Sequence, residues 1–468
     1  MNIAWEEHQV LLKQGDMSHR SPLNVVLWAL GQFAVEVPLE FTHRINTMFI
    51  VLLIQQGLGY MPSLAAFASV VLVCSIVGGI VNLVILCFAV RYAVKKTVIF
   101  CVCTFYLALV IIACWTYNIY VFGILLFFTA WLPQAAVSLH GSQVPFVSTG
   151  DLHQFADHLS ILMSTLTNFL YLYMARAFPN LKYFNLNGQA LSLITKGQDI
   201  EKPTGTFILS TAICVFAFIL LIPYMFLKEH ITKPPIRQLS YNIPYIFNNF
   251  RMVIGDMIRD KNFIMFLLCV IGTQYAPLYT TVLFHTVQSD IFHTDTFMLE
   301  IKENIFFYAA VVSFFISPPL LHKFGPRCMM IIILSLVAIM TCFQQFGLLS
   351  GVFGYIGCVF AGFASSTTNV TIRRFIYENS TYDTISMHYG VVAILCKIVN
   401  SLAILLSVVY QLQENNYFYV RFFAIVMIFF ITSLVGLVAS VFMRDHHTDY
   451  CNGLRPPYVK NTIIIEKD

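Results

Sequence analysis

The hydrophobic pattern divides the chain into two similar halves. Six long apolar segments run from about Asn24 to Leu227, and six more run from Phe263 to about Met443. A basic stretch that contains prolines separates them. A helix that spans a membrane needs about 20 mostly apolar residues, and each segment is long enough. The pattern therefore predicts an all-α polytopic membrane protein with twelve transmembrane helices, at residues 24–54, 64–90, 98–117, 119–140, 155–176, 205–227, 263–288, 301–321, 328–348, 352–374, 386–410 and 418–442.

The basic residues predict which ends of the helices face the cytoplasm. If the N-terminus is cytoplasmic, most of the 27 Lys and Arg residues fall on the cytoplasmic side, as the positive-inside rule requires. Both termini are then predicted to be cytoplasmic, and plasma and organelle membranes remain equally open. Five regions follow: an N-terminal segment at 1–23, a six-helix bundle at 24–227, a central loop at 228–262, a second six-helix bundle at 263–442 and a tail at 443–468.

Composition supports a membrane protein rather than a soluble enzyme. The 468 residues are 58% hydrophobic and 11% charged, whereas soluble domains carry about 25% charged residues. The basic residues are scattered along the chain and form no nucleic-acid footprint. Catalytic and metal-binding motifs such as HExxH, GxSxG and the P-loop are missing. We therefore expect a lipid bilayer and a small-molecule solute as partners, and we expect no nucleic acid, enzyme activity, catalytic residue, cofactor or metal.

Polar residues form one stripe on the first predicted helix. Gln32, Glu36, Glu40 and Arg44 follow one another at four-residue spacing, which places them on one helix face. Two interpretations stay open. Glu40 and Arg44 can form a structural ion pair beside a hydrogen-bonded Glu36, or Glu36 faces a cavity and carries a proton because burial favours its neutral form. The four residues are candidates for substrate or ion coupling, and Gln32 is also a candidate for substrate binding.

Further candidates lie on other predicted helices. Lys397, followed by Asn400, lies in the eleventh helix, where a lysine needs an anion or a wet cavity. Gln134, Asn168 and Gln274 lie in the fourth, fifth and seventh helices. Such polar side chains can contact substrate or serve only to hold helices together.

The stretch from Ser317 to Arg327 resembles the inter-helix signature of the major facilitator superfamily. It reads SPPLLHKFGPR, with His322 or Lys323 where that signature has an acid. The resemblance implies the major facilitator fold, two six-helix bundles around a central substrate path, and transport by alternating access.

Within that superfamily, three short stretches resemble the glycoside–pentoside–hexuronide cation symporters of the melibiose-permease type. They are residues 28–34 (WALGQFA), 144–145 (VP) and 388–397 (HYGVVAILCK). That family binds its coupling cation with two acids on the second helix, but Gly78 and Asn82 occupy those positions here. The vacuolar amino-acid effluxers of the autophagy-linked type share a similar Gly–Lys pairing in the eleventh helix and are a second relative to consider.

These observations predict a secondary active transporter of a small polar organic solute, with a sugar or an amino acid implied by resemblance. Symport with protons is a candidate coupling mode through Glu36 and Glu40. Two rivals come from other classes: a transport-inactive receptor or scaffold that retains the fold, and a membrane-embedded enzyme acting on lipids. For the enzyme, His446 and His447 are the nearest candidates, but they lie in a tail that we expect to be a solvated end.

Overall fold

A computed structural model describes residues 21–45, 47–58, 60–91, 95–148, 151–177, 204–227, 251, 253–278, 296–347, 351–380, 384–411, 418–444 and 447. Its regular secondary structure in these ranges is helical. The first half contains α1 (Pro22–Ile45), α2 (Thr47–Gln55), α3 (Tyr60–Arg91), α4 (Lys95–Thr116), α5 (Ile119–Thr129), α6 (Leu132–Gly141), α7 (Val144–Val147), α8 (Asp151–Ala177) and α9 (Thr204–Tyr224).

The second half begins after the central loop. It contains α10 (Lys261–Thr273), α11 (Tyr275–Leu278), α12 (Thr296–Gly347), α13 (Gly351–Asn379), α14 (Ile385–Gln411) and α15 (Phe418–Phe442). Helix α12 covers the eighth and ninth predicted spans, and its backbone leaves the helical region at Gly325 (φ 77°, ψ 172°). Gly325 is followed by Pro326, so the two spans meet at a glycine that adopts a left-handed φ more readily than other residues.

Six of the described helices are long and apolar enough to cross a membrane. They cover Ala65–Ala89, Lys95–Thr116, Ile119–Gly141, Phe207–Tyr224, Asn304–Phe343 and Ile385–Ala403. Large apolar side chains such as Phe315 and Val438 are exposed on the helix surfaces. In water such surfaces would be unfavourable, whereas lipid chains solvate them. The chain is thus a multi-pass integral membrane protein.

Two of the predicted spans are broken in the structure. The fourth span ends as α5 at Thr129 and resumes as α6 at Leu132. Pro133 lies at the start of α6, where its missing N–H cannot continue the hydrogen-bond ladder from α5. The seventh span ends as α10 at Thr273, and Gln274 separates it from α11. The polar and proline residues between Thr273 and Pro277 predict the second interruption, whereas the hydrophobic pattern does not predict the first.

The two halves pack against each other through two matching helix pairs. Helix α3 packs on α14, and α8 packs on the first part of α12. These are the second span with the eleventh and the fifth with the eighth. Each span corresponds to the span six positions away in the other half. The second span therefore corresponds to the eighth and the eleventh to the fifth, so the two pairs are equivalent contacts. This relation is what two repeats around an axis along the membrane normal produce.

Candidate functional site

Charged side chains join the two halves at one end of the bundles. Asp157 of α8 lies 3.5 Å from Arg373 and 3.8 Å from Arg374, both on α13. All three side chains are at most 8% exposed. Buried charges are stable only when they are paired, so this ion-pair group holds α8 against α13.

An aromatic stack adds to this contact. The rings of Trp28 and His140 are stacked with centroids 4.9 Å apart, and the Arg373 guanidinium lies 5.0 Å from the Trp28 ring. Trp28 Nε1 donates to the His140 carbonyl at 3.1 Å, and His140 Nε2 lies 2.8 Å from the Trp28 carbonyl and donates to it. The first half therefore presents a rigid aromatic surface to a cation of the second half, an attractive arrangement.

Serine hydroxyl groups connect the two halves at the same end, near α14. Ser386 Oγ donates to Ser142 Oγ at 2.8 Å, and Lys95 Nζ donates to the same oxygen at 3.2 Å. We call the set Trp28, His140, Ser142, Asp157, Arg373, Arg374 and Ser386 the inter-bundle cluster. By the predicted topology, it lies at the cytoplasmic ends of the helices.

Two further residues support the cluster from the second half. Glu378 Oε1 accepts a 2.6 Å hydrogen bond from Arg374 Nε. His447, after the last helix, has Nδ1 2.8 Å from the same oxygen and Nε2 2.9 Å from the His322 carbonyl. His447 is 7% exposed. The expectation that this histidine lies in a solvated end is therefore wrong, because polar sequence neighbours do not reveal a buried carboxylate partner on another helix.

A carboxylate lies further along α1. Glu36 Oε1 accepts a 2.7 Å hydrogen bond from Gln32 Nε2, and Glu36 Oε2 accepts one of 2.8 Å from Ser164 Oγ. Gln32 Nε2 also contacts the Ser160 carbonyl at 3.3 Å, and Gln32 Oε1 is buried without a partner among the described residues. We call Gln32, Glu36, Ser160 and Ser164 the Glu36 cluster. Both carboxylate oxygens have donors, so the ionised form is satisfied here.

The Glu36 cluster and the inter-bundle cluster share the same two helices. On α1, Trp28, Gln32 and Glu36 follow at four-residue spacing, and the helix rise separates Trp28 from Glu36 by about 12 Å. On α8, Asp157 and Ser164 are about 10 Å apart by the same measure. On each helix, a residue of the inter-bundle cluster therefore lies near the end, and a residue of the Glu36 cluster lies about two turns further into the bundle.

At the far end of the first half, a cavity of about 670 Å³ opens between α2 and α5, lined by Phe49, Gln56, Tyr120, Ile124 and Phe127. Phe49 is 21 residues after Trp28, and Tyr120 is 20 residues before His140, so the cavity and the inter-bundle cluster lie at opposite ends of the helices. The cavity wall is largely apolar and aromatic.

The break between α5 and α6 lies beside α3. Trp131 Nε1 and both side-chain polar atoms of Asn82 are buried and have no hydrogen-bond partner among the described residues. An added Cβ at Gly78, one turn before Asn82, would lie 2.7 Å from Cγ of Trp131. An acidic side chain therefore has no room at Gly78, one of the two positions where the resemblance suggested an acid.

The described residues separate the predicted site residues into three groups. Gln32 and Glu36 come together as the spacing predicted. Gln274 is buried and bonds to the Val270 carbonyl of its own helix at 3.2 Å, while Gln134, Lys397 and Asn400 are half-buried. The side chains of Glu40, Arg44 and Asn168 lie outside the described residues. No group of three or more His, Cys, Asp or Glu among the described residues is arranged to hold a metal ion.

The inter-bundle cluster was missed from sequence. By the positive-inside rule, Arg373 and Arg374 are simply two of the cytoplasmic basic residues, and Asp157 lies near the start of the fifth predicted span. One signal was present: an acid at the inner end of the fifth span and two bases at the inner end of the tenth lie at the same predicted depth, and buried opposite charges at one depth tend to pair.

Comparisons with known proteins locate the fold. No protein-family model matches the sequence, and none of the curated proteins matches it. The structure resembles the human organic anion transporter MFSD10 (TM-score 0.63, 10% identity, 90% of this chain and 100% of that one). It also resembles the proton:xylose symporter XylE bound to 6-bromo-6-deoxy-D-glucose (TM-score 0.61, 12% identity, 92% and 96%) and the E. coli fucose:proton symporter FucP (TM-score 0.56, 14% identity, 90% and 99%).

These likenesses extend over nine-tenths of this chain and nearly all of each neighbour. The neighbours are transporters rather than enzymes, in agreement with the lack of a catalytic motif in the sequence. With its apolar spans and its two matching helix pairs between the halves, the chain has the major facilitator fold, with twelve helices in two six-helix bundles.

Proposed function

We propose that the chain is a secondary active transporter that moves a small polar organic solute across a membrane by alternating access, with Glu36 as the residue that carries a coupled proton. The observation that carries the proposal is the sharing of α1 and α8 between the Glu36 cluster and the inter-bundle cluster. A change at Glu36 then acts on the same helix pair that closes one end of the bundles.

The Glu36 cluster has the hydrogen-bonding groups that a proton carrier needs. In the ionised form, Gln32 and Ser164 each donate to one carboxylate oxygen. On protonation, one oxygen becomes a donor, and the Ser164 hydroxyl can rotate to accept from it. Gln32 Oε1 is a second acceptor without a partner among the described residues. Both protonation states are thus satisfied with side-chain rotations alone.

The class of solute comes from resemblance. Two of the neighbours are sugar–proton symporters. The resemblance to the melibiose-permease type favours a sugar, whereas the resemblance to the vacuolar effluxers favours an amino acid. Coupling through two acids on the second helix is disfavoured, because Trp131 fills the space at Gly78 and Asn82 carries no charge. We therefore favour protons over sodium as the coupling ion.

The test is uptake by proteoliposomes that contain the full chain. A panel of radiolabelled sugars and amino acids is presented with and without a proton gradient, using wild type and Glu36→Gln. Glutamine resembles the protonated acid but cannot release a proton. We expect wild type to accumulate one class of solute when the gradient is applied. Glu36→Gln should retain solute exchange between equal pools and lose accumulation.

Asp256→Asn is the matched control, because Asp256 is exposed and lies outside both clusters. Its accumulation should equal that of wild type. Gradient-driven accumulation that survives in Glu36→Gln would contradict the role of Glu36. A folded wild-type protein that moves no member of the panel in either assay would favour the transport-inactive receptor or scaffold.

A further inference from the structure

The C-terminal tail reaches the inter-bundle cluster through one histidine. Both ring nitrogens of His447 lie within hydrogen-bond distance of an oxygen: Nδ1 is 2.8 Å from Glu378 Oε1, and Nε2 is 2.9 Å from the His322 carbonyl. A carbonyl oxygen and an ionised carboxylate can only accept. Both nitrogens can donate at once only in the protonated imidazolium, so this geometry fits the charged form of His447.

The backbone of α12 is shaped to admit this ring. Gly325 has a φ of 77°, and a Cβ added there would lie 2.7 Å from both Cβ and Cγ of His447. Any larger residue would therefore push the tail away as well as strain the turn. The tail therefore packs closely against the kink of α12.

The groups that contact His447 belong to α12 and α13. Glu378 of α13 is the anion, and Arg374 of the same helix is a cation that shares its Oε1. His322 of α12 contributes its carbonyl, and its ring Nδ1 is buried without a partner among the described residues. Arg327 of α12 donates instead to the carbonyls of Ser440 and Val441 at the end of α15.

Three more charged side chains stand around this group. Lys323 lies over the ring of Phe324, and Arg444 follows α15 with an exposed side chain. Asp157 lies 3.8 Å from Arg374, beyond that arginine. The tail residues Asp445, His446 and Asp449 lie outside the described residues.

These groups set the direction of the His447 titration. Burial alone would lower the pKa of His447, but the hydrogen bond and charge of Glu378, together with the His322 carbonyl, outweigh burial and raise the pKa above its ordinary value. Docking of the tail is then most favourable below the pKa of a free histidine, about 6.5. The advantage disappears as the pH rises through the higher pKa of the docked state.

We propose that His447 is a positioning residue whose protonation fastens the tail to Glu378, so that the inter-bundle cluster is tighter at acidic than at alkaline pH. Glu378 is fully buried, and its Oε2 has no partner among the described residues. When His447 becomes neutral, only one ring nitrogen can donate, so the Glu378 carboxylate and the His322 carbonyl compete for one N–H. Glu378 also loses the attraction of the imidazolium charge. The tail then holds Glu378 less firmly, and Glu378 positions Arg374 less firmly opposite Asp157.

Hydrogen–deuterium exchange of the purified full chain in lipid nanodiscs tests this idea without any substrate. The amides of residues 142–148 and 384–388 report on the inter-bundle contact. Wild type, His447→Gln and His446→Gln are compared at each pH from about 5.5 to 8.5, a range that spans histidine titration. Comparing the proteins at the same pH removes the intrinsic pH dependence of exchange.

We expect exchange in His447→Gln to be about tenfold faster than in wild type at the acidic end, the effect of losing a hydrogen bond to a charged group. The difference should vanish at the alkaline end. The neighbouring-histidine control, His446→Gln, should follow wild type throughout.

Two results would overturn the proposal: equal exchange in wild type and His447→Gln at every pH, or a ratio that stays constant with pH and so marks a purely structural contact. If His447→Gln does not fold, Glu378→Gln removes the anion instead and should abolish the pH dependence; persistence of the pH dependence there would also refute it. The outcome does not depend on transport activity, so it is independent of the proposed function.

Discussion

Replacing Asp157 by asparagine is the most direct way to open the end of the bundles that the inter-bundle cluster closes. The change keeps the shape of the side chain and removes its charge. Asp157 lies 3.5 Å and 3.8 Å from two arginines, and unit charges at such distances attract by about 4–5 kcal/mol at an effective dielectric constant of about 20. Desolvation offsets part of this attraction, but removing one partner of a buried pair still costs about 3–5 kcal/mol.

The lower end of that range sets the expected effect. A loss of about 3 kcal/mol changes the ratio of closed to open states by more than 100-fold. Exchange at residues 142–148 and 384–388 should accelerate by at least tenfold in Asp157→Asn, and Asp256→Asn is the control that should not change. Thermal melting of both variants checks that the bundles themselves remain folded.

A double-mutant cycle separates the ion pair from other effects of the change. If Asp157 and Arg374 act on each other, Arg374→Gln in the Asp157→Asn background should have a smaller effect than Arg374→Gln alone. Exchange in Asp157→Asn within twofold of wild type, or strictly additive effects in the cycle, would refute the reasoning.

Two other substitutions test the packing of the inter-bundle cluster and of the break between α5 and α6. Trp28→Phe keeps a ring beside Arg373 but removes the hydrogen bond from Nε1 to the His140 carbonyl. It should weaken inter-bundle closure by about 1 kcal/mol, which is measured as faster hydrogen exchange at residues 384–388. Unchanged exchange would exclude a role for that bond. Gly78→Ala places a Cβ 2.7 Å from Trp131 Cγ, so overpacking should lower the free energy of unfolding by about 1–3 kcal/mol. Gly205→Ala is the control: no heavy atom lies within 4 Å of the added Cβ, so it should have almost no effect.

The fold could be predicted in outline because each spanning helix is a local event. Lipid cannot satisfy an exposed backbone, so an apolar run of about 20 residues becomes a helix wherever it occurs. The predicted spans 98–117 and 119–140 leave one residue between them and so predict a tight turn, which the structure confirms: Tyr117 has a φ of 45°, and the Asn118 side chain caps α5. The break before α6 was missed because hydrophobicity alone does not register the effect of Pro133 on the backbone.

The candidate site could be predicted only where it depends on a single helix. Gln32 and Glu36 share a face because of their spacing, and their 2.7 Å hydrogen bond confirms that part of the predicted stripe. Ser164 completes the cluster from α8, and no periodicity within one helix identifies a partner on another. The same limit hid the pairing of Asp157 with α13 and of Glu378 with His447, since both join residues more than 60 positions apart.

The shared use of α1 and α8 determines how the two clusters can affect each other. Both helices belong to the first half, and the Glu36 cluster joins them to each other, whereas the inter-bundle cluster joins them to the second half. In the proposed mechanism, a change in the hydrogen bonds of Glu36 is expected to alter the spacing of α1 and α8, so that Trp28 and Asp157 move relative to Arg373. Packed helices move as rigid bodies rather than bend continuously, so a small shift near Glu36 changes the ion-pair distances about two helical turns away. Buried ion pairs weaken steeply once water enters, and this makes the closed end the natural place for the two bundles to separate.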